Sequence, residues 1–158
     1  REISGEPYKT TVEVIARDRT FDTPALTHLV KAKFGGEIEL LGYDLDKKAL
    51  NLELTLVWRA LGNITRDYKY FVHLWKGEQV VAQVDSMPRE WLYPTSWWAP
   101  QEVVSETVSF DMNHLESGNY ILTTGFYDPE SGEKLPAVLQ HDEGSNAVWV
   151  TLGEVSHE

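Results

Sequence analysis

The sequence predicts an all-β protein, an antiparallel β-sandwich of the jelly-roll or immunoglobulin-like kind with seven to nine strands. Three observations lead to this fold class. Apolar residues alternate with other residues from Leu50 to Trp58, the period-2 pattern of a strand with one buried face. Shorter apolar runs recur along the chain, separated by turn residues. No amphipathic helix of about 10 to 15 residues lies between them, which disfavours a parallel α/β fold.

The predicted strands follow one another at short intervals. They cover residues 10–17, 37–45, 50–59, 68–76, 80–84, 104–112, 120–127 and 147–152. Turn residues separate several of them, at 46–48, 76–78, 117–119 and 128–132. The strand 68–76 is apolar on both faces, which indicates a central position in its sheet. A helix is possible only near 24–33 and in a turn near 113–116.

The chain of 158 residues contains no internal repeat and no low-complexity linker, so it predicts a single globular unit. We interpret residues 1–33 as an N-terminal tail with the first strand, and residues 34–158 as the sandwich domain. The chain begins at Arg1 without a leader, and we therefore expect it to be an excised piece of a longer protein.

Composition and charge exclude several classes of partner. The formal net charge is -11, and residues 101–158 carry one basic group against 11 acidic ones. A polyanion is a poor partner for such a surface, so we predict no nucleic acid. No apolar run reaches the roughly 18 residues of a membrane span. The absence of cysteine removes disulfides and thiolate sites, and no cofactor is predicted.

Several phrases in a fixed order carry a family resemblance. They begin with FGGEIELLGYDL at 34–45 and continue with the Leu-alternating strand that ends in WRAL at 58–61. Next come YFVHL at 70–74, AQVDSMP at 82–88 and YPTSWW at 93–98, and then GNY, GFYDP and GEKLP between 118 and 136. Over residues 21–152 this order resembles the C-terminal soluble β-sandwich domain of bacterial multispanning glycosyltransferases, the lipid-linked-sugar type related to protein mannosyltransferases.

The resemblance implies a location and a partner. Such a domain would lie on the extracytoplasmic face of the cell membrane, as part of a larger membrane protein, beside the membrane-embedded transferase portion of the same chain. The acidic catalytic motif of the transferase has no counterpart here, so no catalytic residue is carried over. We expect a non-catalytic accessory module, with the enzyme activity belonging to the parent polypeptide.

The densest unusual feature is an aromatic segment at 89–98, which holds three of the six tryptophans. Aromatic rings stack on sugar rings, and neighbouring polar side chains bind hydroxyls. The same rings could instead close the core beneath the loop. Both interpretations stay open, although Trp97 and Trp98 cannot both point inward from an extended backbone. The candidate ligand-binding residues are Arg89, Glu90, Trp91, Tyr93, Trp97 and Trp98.

Other candidates are weaker. We assign Trp58 to the core and His73 to a half-buried sheet position with a local partner. The five histidines lack ligand spacing for zinc. Asp128 and Glu130 are calcium candidates, but the segment 128–132 matches a polar turn better, with Gly132 at positive φ.

No catalytic motif is present: there is no nucleophile elbow, phosphate loop or zinc-protease signature. For a glycoside hydrolase, Asp85, Glu90 and Glu102 would be the carboxylates of choice. The function hypothesis is therefore an accessory module that contacts an oligosaccharide or acceptor through the aromatic loop. The alternative is a structural or protein-interaction sandwich that binds no carbohydrate.

Overall fold

The computed structural model describes residues 18–140, 144 and 146–158. Within these ranges nine strands form two antiparallel sheets that pack as a sandwich, which confirms the predicted fold class. The strands are β1 His28–Phe34, β2 Ile38–Lys48, β3 Asn51–Ala60, β4 Lys69–Lys76, β5 Gln79–Ser86, β6 Val103–Asp111, β7 Gly118–Tyr127, β8 Ala137–Leu139 and β9 Val150–His157. The larger sheet has the order β6-β3-β2-β1-β8 and the smaller one β5-β4-β7-β9. No helix in the described ranges could cross a bilayer.

The core lies between the two sheets and is built from alternate residues of each strand. On β3 the side chains from Leu52 to Trp58 that share one face are fully buried, as the alternation predicts. The Trp58 ring packs 5.3 Å from the ring of Tyr70 and 5.2 Å from that of Phe126, both on the facing sheet. Each such side chain contributes roughly 1.5 to 3 kcal/mol by leaving water, so this cluster accounts for much of the stability.

Strand β4 is central in the smaller sheet, between β5 and β7, as its two apolar faces predict. Phe71 points away from the core and is nevertheless buried. Its ring covers Gly125, where an added Cβ would lie 2.5 Å from a ring carbon. Gly125 therefore leaves the space into which this ring fits.

Two local predictions are wrong. Residues 28–34 form β1 and not part of a helix, because they pair with both β2 and β8 in the larger sheet. The reversal predicted at 46–48 falls at Ala49 and Leu50 instead, since Lys48 pairs with Asn51 and the strand extends to that point. Ala49 adopts φ 48, the left-handed conformation that this tight hairpin requires.

The segment before β1 crosses the outer face of the larger sheet. Thr20 pairs with Val103 at the start of β6. Leu26 packs on a small apolar cluster formed by Leu41, Val57 and Val103. The strand predicted at 10–17 lies outside the described residues, and β1 itself spans the position 33/34 at which the sequence suggested that the sandwich begins.

Candidate functional site

The aromatic segment lies in the loop that connects β5 of one sheet to β6 of the other. Its first half is a left-handed turn, because Arg89, Glu90 and Trp91 have φ values of 55, 54 and 75 degrees. Left-handed backbone costs roughly 1 to 2 kcal/mol per residue with a Cβ. Three consecutive residues of this kind are rare, and strain of this sort is found preferentially at functional sites.

A carboxylate on β6 holds the start of this turn. The backbone N–H of Arg89 donates to both oxygens of Glu106, at 3.1 and 3.2 Å. The hydroxyl of Tyr70 donates to the same carboxylate at 2.8 Å. Burial raises the pKa of Glu106, while these hydrogen bonds oppose that rise. The strained turn is therefore fixed by a side chain from another strand.

The second half of the loop packs into the protein. Trp98 is only 3% exposed, and its ring stacks on Trp58 with the centroids 5.9 Å apart. Its indole N–H donates to the carbonyl of Tyr93 at 3.0 Å. The Tyr93 hydroxyl donates to the buried carboxylate of Glu102, which also accepts from Arg19 at 2.8 Å and from the Ala99 N–H at 2.8 Å.

A short 3-10 turn, Thr95–Trp97, joins the loop to the segment before β4. The buried Thr95 hydroxyl donates to the carbonyl of Arg66 at 2.6 Å and accepts the N–H of Tyr68 at 3.0 Å. Ser96 donates to Asp67 from both its backbone N–H and its hydroxyl. These contacts fix the loop against residues 66–68.

Trp91 and Trp97 face outward, with exposed fractions of 59% and 52%. Of the adjacent pair at 97 and 98, one ring is thus exposed and the other buried, although Trp97 belongs to a 3-10 turn and not to extended backbone. The ammonium of Lys69 lies 5.1 Å from the centroid of the Trp91 ring, within range of a cation–π contact. Trp91 is therefore a largely accessible aromatic surface with a defined orientation.

Trp91 borders a cleft of about 590 Å³. The turn 128–132 lies on the same cleft and contributes Asp128, Pro129 and Glu130. Arg66 also lines it and pairs with Asp128 at 2.6 Å. The cleft thus joins one aromatic ring to a cation, carboxylates and a threonine hydroxyl. Volumes of this size suit small-molecule ligands.

Asp128 performs the turn role that the sequence favours. It accepts the N–H of Glu130 on its side chain at 2.9 Å, and its carbonyl accepts the N–H of Gly132 at 2.7 Å. Gly132 has φ 77, as predicted. The N–H of Glu130 and the Arg66 guanidinium hold the pKa of Asp128 below its ordinary value. The described part of the chain contains no group of three or more potential metal ligands.

The structure divides the six predicted ligand-binding residues among four places. Arg89 and Glu90 line a second cleft of about 590 Å³, between the sheet edges formed by β5 and β6. Trp91 lies on the first cleft, and Trp97 on the exposed surface of the 3-10 turn. Tyr93 and Trp98 are buried, so the interpretation that they contact a ligand is replaced by the core-packing interpretation.

His73 is half-buried on the outer face of β4, as expected, but within the described ranges its Nδ1 atom lacks the predicted local partner. Its Nδ1 atom is buried and has no hydrogen-bond partner among the described residues. The ring instead packs 4.8 Å from the ring of Phe71. Burial, followed by the charge of Lys134, lowers the pKa of His73.

The three carboxylates considered for hydrolysis occupy different surroundings. Asp85 accepts the hydroxyl of Tyr127 at 2.6 Å on the outer face of the smaller sheet. The carboxylate of Glu102 is buried and accepts hydrogen bonds from three donors, which belong to Tyr93, Ala99 and Arg19. Glu90 lies exposed on the left-handed turn.

Sequence reasoning missed Arg66, Lys69 and Glu106. Arg66 lines the cleft, Lys69 faces the Trp91 ring and Glu106 holds the turn. None of them belongs to a recognisable motif. Arg66 and Lys69 lie at least 20 residues before the aromatic segment and Glu106 lies eight residues after it. Only the pairing of the strands brings them together.

No protein-family model matches the sequence, and no curated protein matches it either. Among solved structures, the chain is similar to chicken MD-1 complexed with lipid IVa. The identity is 8%, the match covers 70% of this chain and 95% of that one, and the TM-score is 0.37.

Proposed function

We propose that this domain is a non-catalytic extracytoplasmic module of a membrane glycosyltransferase, and that it contacts a glycan at the cleft beside Trp91. The observation that carries the glycan contact is the exposed Trp91 ring on a strained turn, across the cleft from Asp128 and Glu130. The association with a transferase and the location outside the membrane rest on the family resemblance of the sequence.

The chemistry of the cleft suits a sugar. An indole ring packs against the C–H face of a pyranose, which removes apolar area from water on both partners. Carboxylates and a guanidinium accept from and donate to the hydroxyl groups around the ring. Arg66 and Asp128 already bind each other, so they are held in place before a ligand arrives. Preorganisation of this kind lowers the entropic cost of binding.

The turn geometry supplies a second argument for Trp91 as the contact. A strained backbone conformation persists when surrounding contacts hold it in place. The hydrogen bond from the Arg89 N–H to Glu106 provides that restraint. The restraint presents the Trp91 ring to the cleft. A ring used only for packing would not require an exposed position.

The test uses the 158-residue chain on an array of oligosaccharides that contain mannose, glucose, galactose or N-acetylglucosamine, followed by calorimetry with any positive probe. We expect Trp91→Ala to abolish the signal and Leu92→Ala to retain it, because Leu92 is equally exposed but does not line this cleft. The absence of a binding signal with every oligosaccharide, or equal binding by both variants, contradicts the glycan contact.

A protein-docking module is the second candidate function. Leu92 and Trp97 are exposed apolar side chains on the same loop, with exposed fractions of 68% and 52%, and such groups are typical of protein contacts. Cross-linking within the full-length transferase distinguishes the two functions. A contact between this loop and another protein segment that persists without sugar, and that weakens in Leu92→Ala, would favour docking.

A further inference from the structure

A third concave site lies on the outer face of the larger sheet, away from the aromatic loop. It is a pocket of about 420 Å³. Its floor is formed by side chains of β1, β2 and β3, and residues from the segment before β1 and from the end of β8 also line it. The residues that determine its chemistry are Leu29, Lys31, Lys33, Glu39, Arg59 and Leu139.

The strand register places the charged side chains next to one another. Lys33 pairs with Glu39, and Glu39 pairs with Arg59, so the three stand in a row across the sheet. Arg59 lies 3.7 Å from the Glu39 carboxylate and donates to the Thr23 hydroxyl at 3.0 Å. Three cations against one carboxylate leave a surplus of two positive charges in the pocket.

The two lysines are available to a ligand. Among the described residues, neither Lys31 nor Lys33 has a carboxylate oxygen within 4.0 Å. This surplus is notable in a chain whose net charge is -11. Positive charge gathered in a concave site raises the local concentration of anions.

Lys31 sits at a bulge in β1 and has a left-handed φ of 60 degrees. Bulges redirect a side chain relative to the regular strand. Leu29, on the other side of the bulge, is 70% exposed, and Leu139 on β8 is 40% exposed. The pocket therefore combines a cationic centre with two leucines that do not enter the core.

We propose that this pocket binds a phosphate ester whose organic part is apolar. A phosphate group carries one or two negative charges, which matches the surplus, and its oxygens accept from a guanidinium and from ammonium groups at once. An apolar chain attached to the phosphate covers Leu29 and Leu139, which lose their contact with water. A nucleic acid is a poor alternative, because the remaining surface is acidic and would repel its further phosphates.

The test is calorimetric titration of the chain with three probes: inorganic phosphate, dihexanoyl phosphatidic acid and dihexanoyl phosphatidylcholine, each kept below its micelle concentration. The phosphatidic acid is expected to bind about tenfold or more tightly than inorganic phosphate, because its chains cover the leucines. The phosphatidylcholine is expected not to bind, and added sodium chloride should weaken the interaction of the anionic probe.

Three variants complete the test. Lys33→Ala removes one cation, and Lys31→Gly removes the other without placing a Cβ in the left-handed region. Each is expected to weaken phosphatidic acid binding about fivefold to tenfold, whereas Lys47→Ala, at the exposed end of β2, should bind like wild type. Thermal unfolding of each variant establishes that it is folded.

Three results would overturn the proposal: no heat with phosphatidic acid, equal binding of phosphatidylcholine, or binding that both lysine variants leave unchanged. Equal affinity for inorganic phosphate and phosphatidic acid would overturn the apolar part, because the leucines would then contribute nothing. The outcome is independent of the glycan contact, since none of the pocket residues lines the Trp91 cleft.

Discussion

The two halves of the aromatic loop both contain tryptophan but have opposite roles. The half that ends in Trp91 turns outward in a left-handed backbone held by Glu106. The half that contains Tyr93 and Trp98 turns inward and forms part of the core, held by Glu102. The difference shows that an aromatic cluster in a sequence marks a loop of interest without telling which ring meets a ligand.

The largest expected effect tests the inward half. Trp98→Ala removes a buried ring that stacks on Trp58 and leaves a cavity, so the free energy of unfolding should fall by about 3 to 5 kcal/mol. Trp97→Ala, at the exposed neighbour, should cost less than about 1 kcal/mol. Urea unfolding followed by fluorescence measures both. Similar losses for the two variants would mean that the division between inward and outward rings is wrong.

The next effect concerns the carboxylate that holds the inward half. Glu102→Ala leaves the Tyr93 hydroxyl and the Ala99 N–H without their acceptor, and removes the ion pair with Arg19. Buried groups that lose their partners cost about 1 to 3 kcal/mol each, so we expect a loss of roughly 2 to 3 kcal/mol in urea unfolding. A loss below that of an exposed substitution such as Glu78→Ala would show that this network is not structural.

A smaller change in the free energy of unfolding distinguishes backbone strain from ligand binding in the outward half. Glu90→Gly and Trp91→Gly both relieve a left-handed residue. Glu90→Gly should raise the free energy of unfolding by about 0.5 to 1 kcal/mol. Trp91→Gly should stay within about 0.5 kcal/mol of wild type, because the lost contact with Lys69 offsets the gain.

The same two variants sharpen the glycan proposal. Glu90→Gly keeps the Trp91 ring and should keep binding to any oligosaccharide found on the array, whereas Trp91→Gly should lose it. Both variants have a comparable relief of backbone strain, so a difference in binding is due to the ring. Loss of binding in both would instead assign the effect to the rigidity of the turn.

The smallest expected effect is a pH dependence of the free energy of unfolding, caused by His73 on the outer face of the smaller sheet. His73 is half-buried, whereas the rings of the loop are either buried or exposed. Burial lowers its pKa, so the unfolded chain binds a proton at a higher pH than the folded chain does. The free energy of unfolding should therefore decrease as pH falls from about 6.5, the unperturbed value. His73→Phe, which keeps the ring packed on Phe71, should make this decrease shallower in urea titrations at several pH values. An unchanged slope would contradict the assignment.

Local patterns were sufficient to predict most of the strands. The alternation on β3 identified its buried face, and the two apolar faces of β4 identified a central strand. The same reasoning failed at β1, where a bulge at Lys31 interrupts the alternation and the pairing with β2 and β8 decides the conformation. It also misplaced the turn after β2, because the register with β3 continues through the charged cluster at 46–48 and ends only at Lys48.

The sequence by itself determined that this chain folds as an antiparallel sandwich and that Trp58 is in the core. These results depend on period-2 geometry, which acts between near neighbours. Only the tertiary structure decided that Trp91, Arg66 and Asp128 share a cleft, and that Lys31, Lys33 and Arg59 share a pocket. Each set joins side chains from separate strands and loops, so its geometry depends on sheet order and register, which no local pattern specifies.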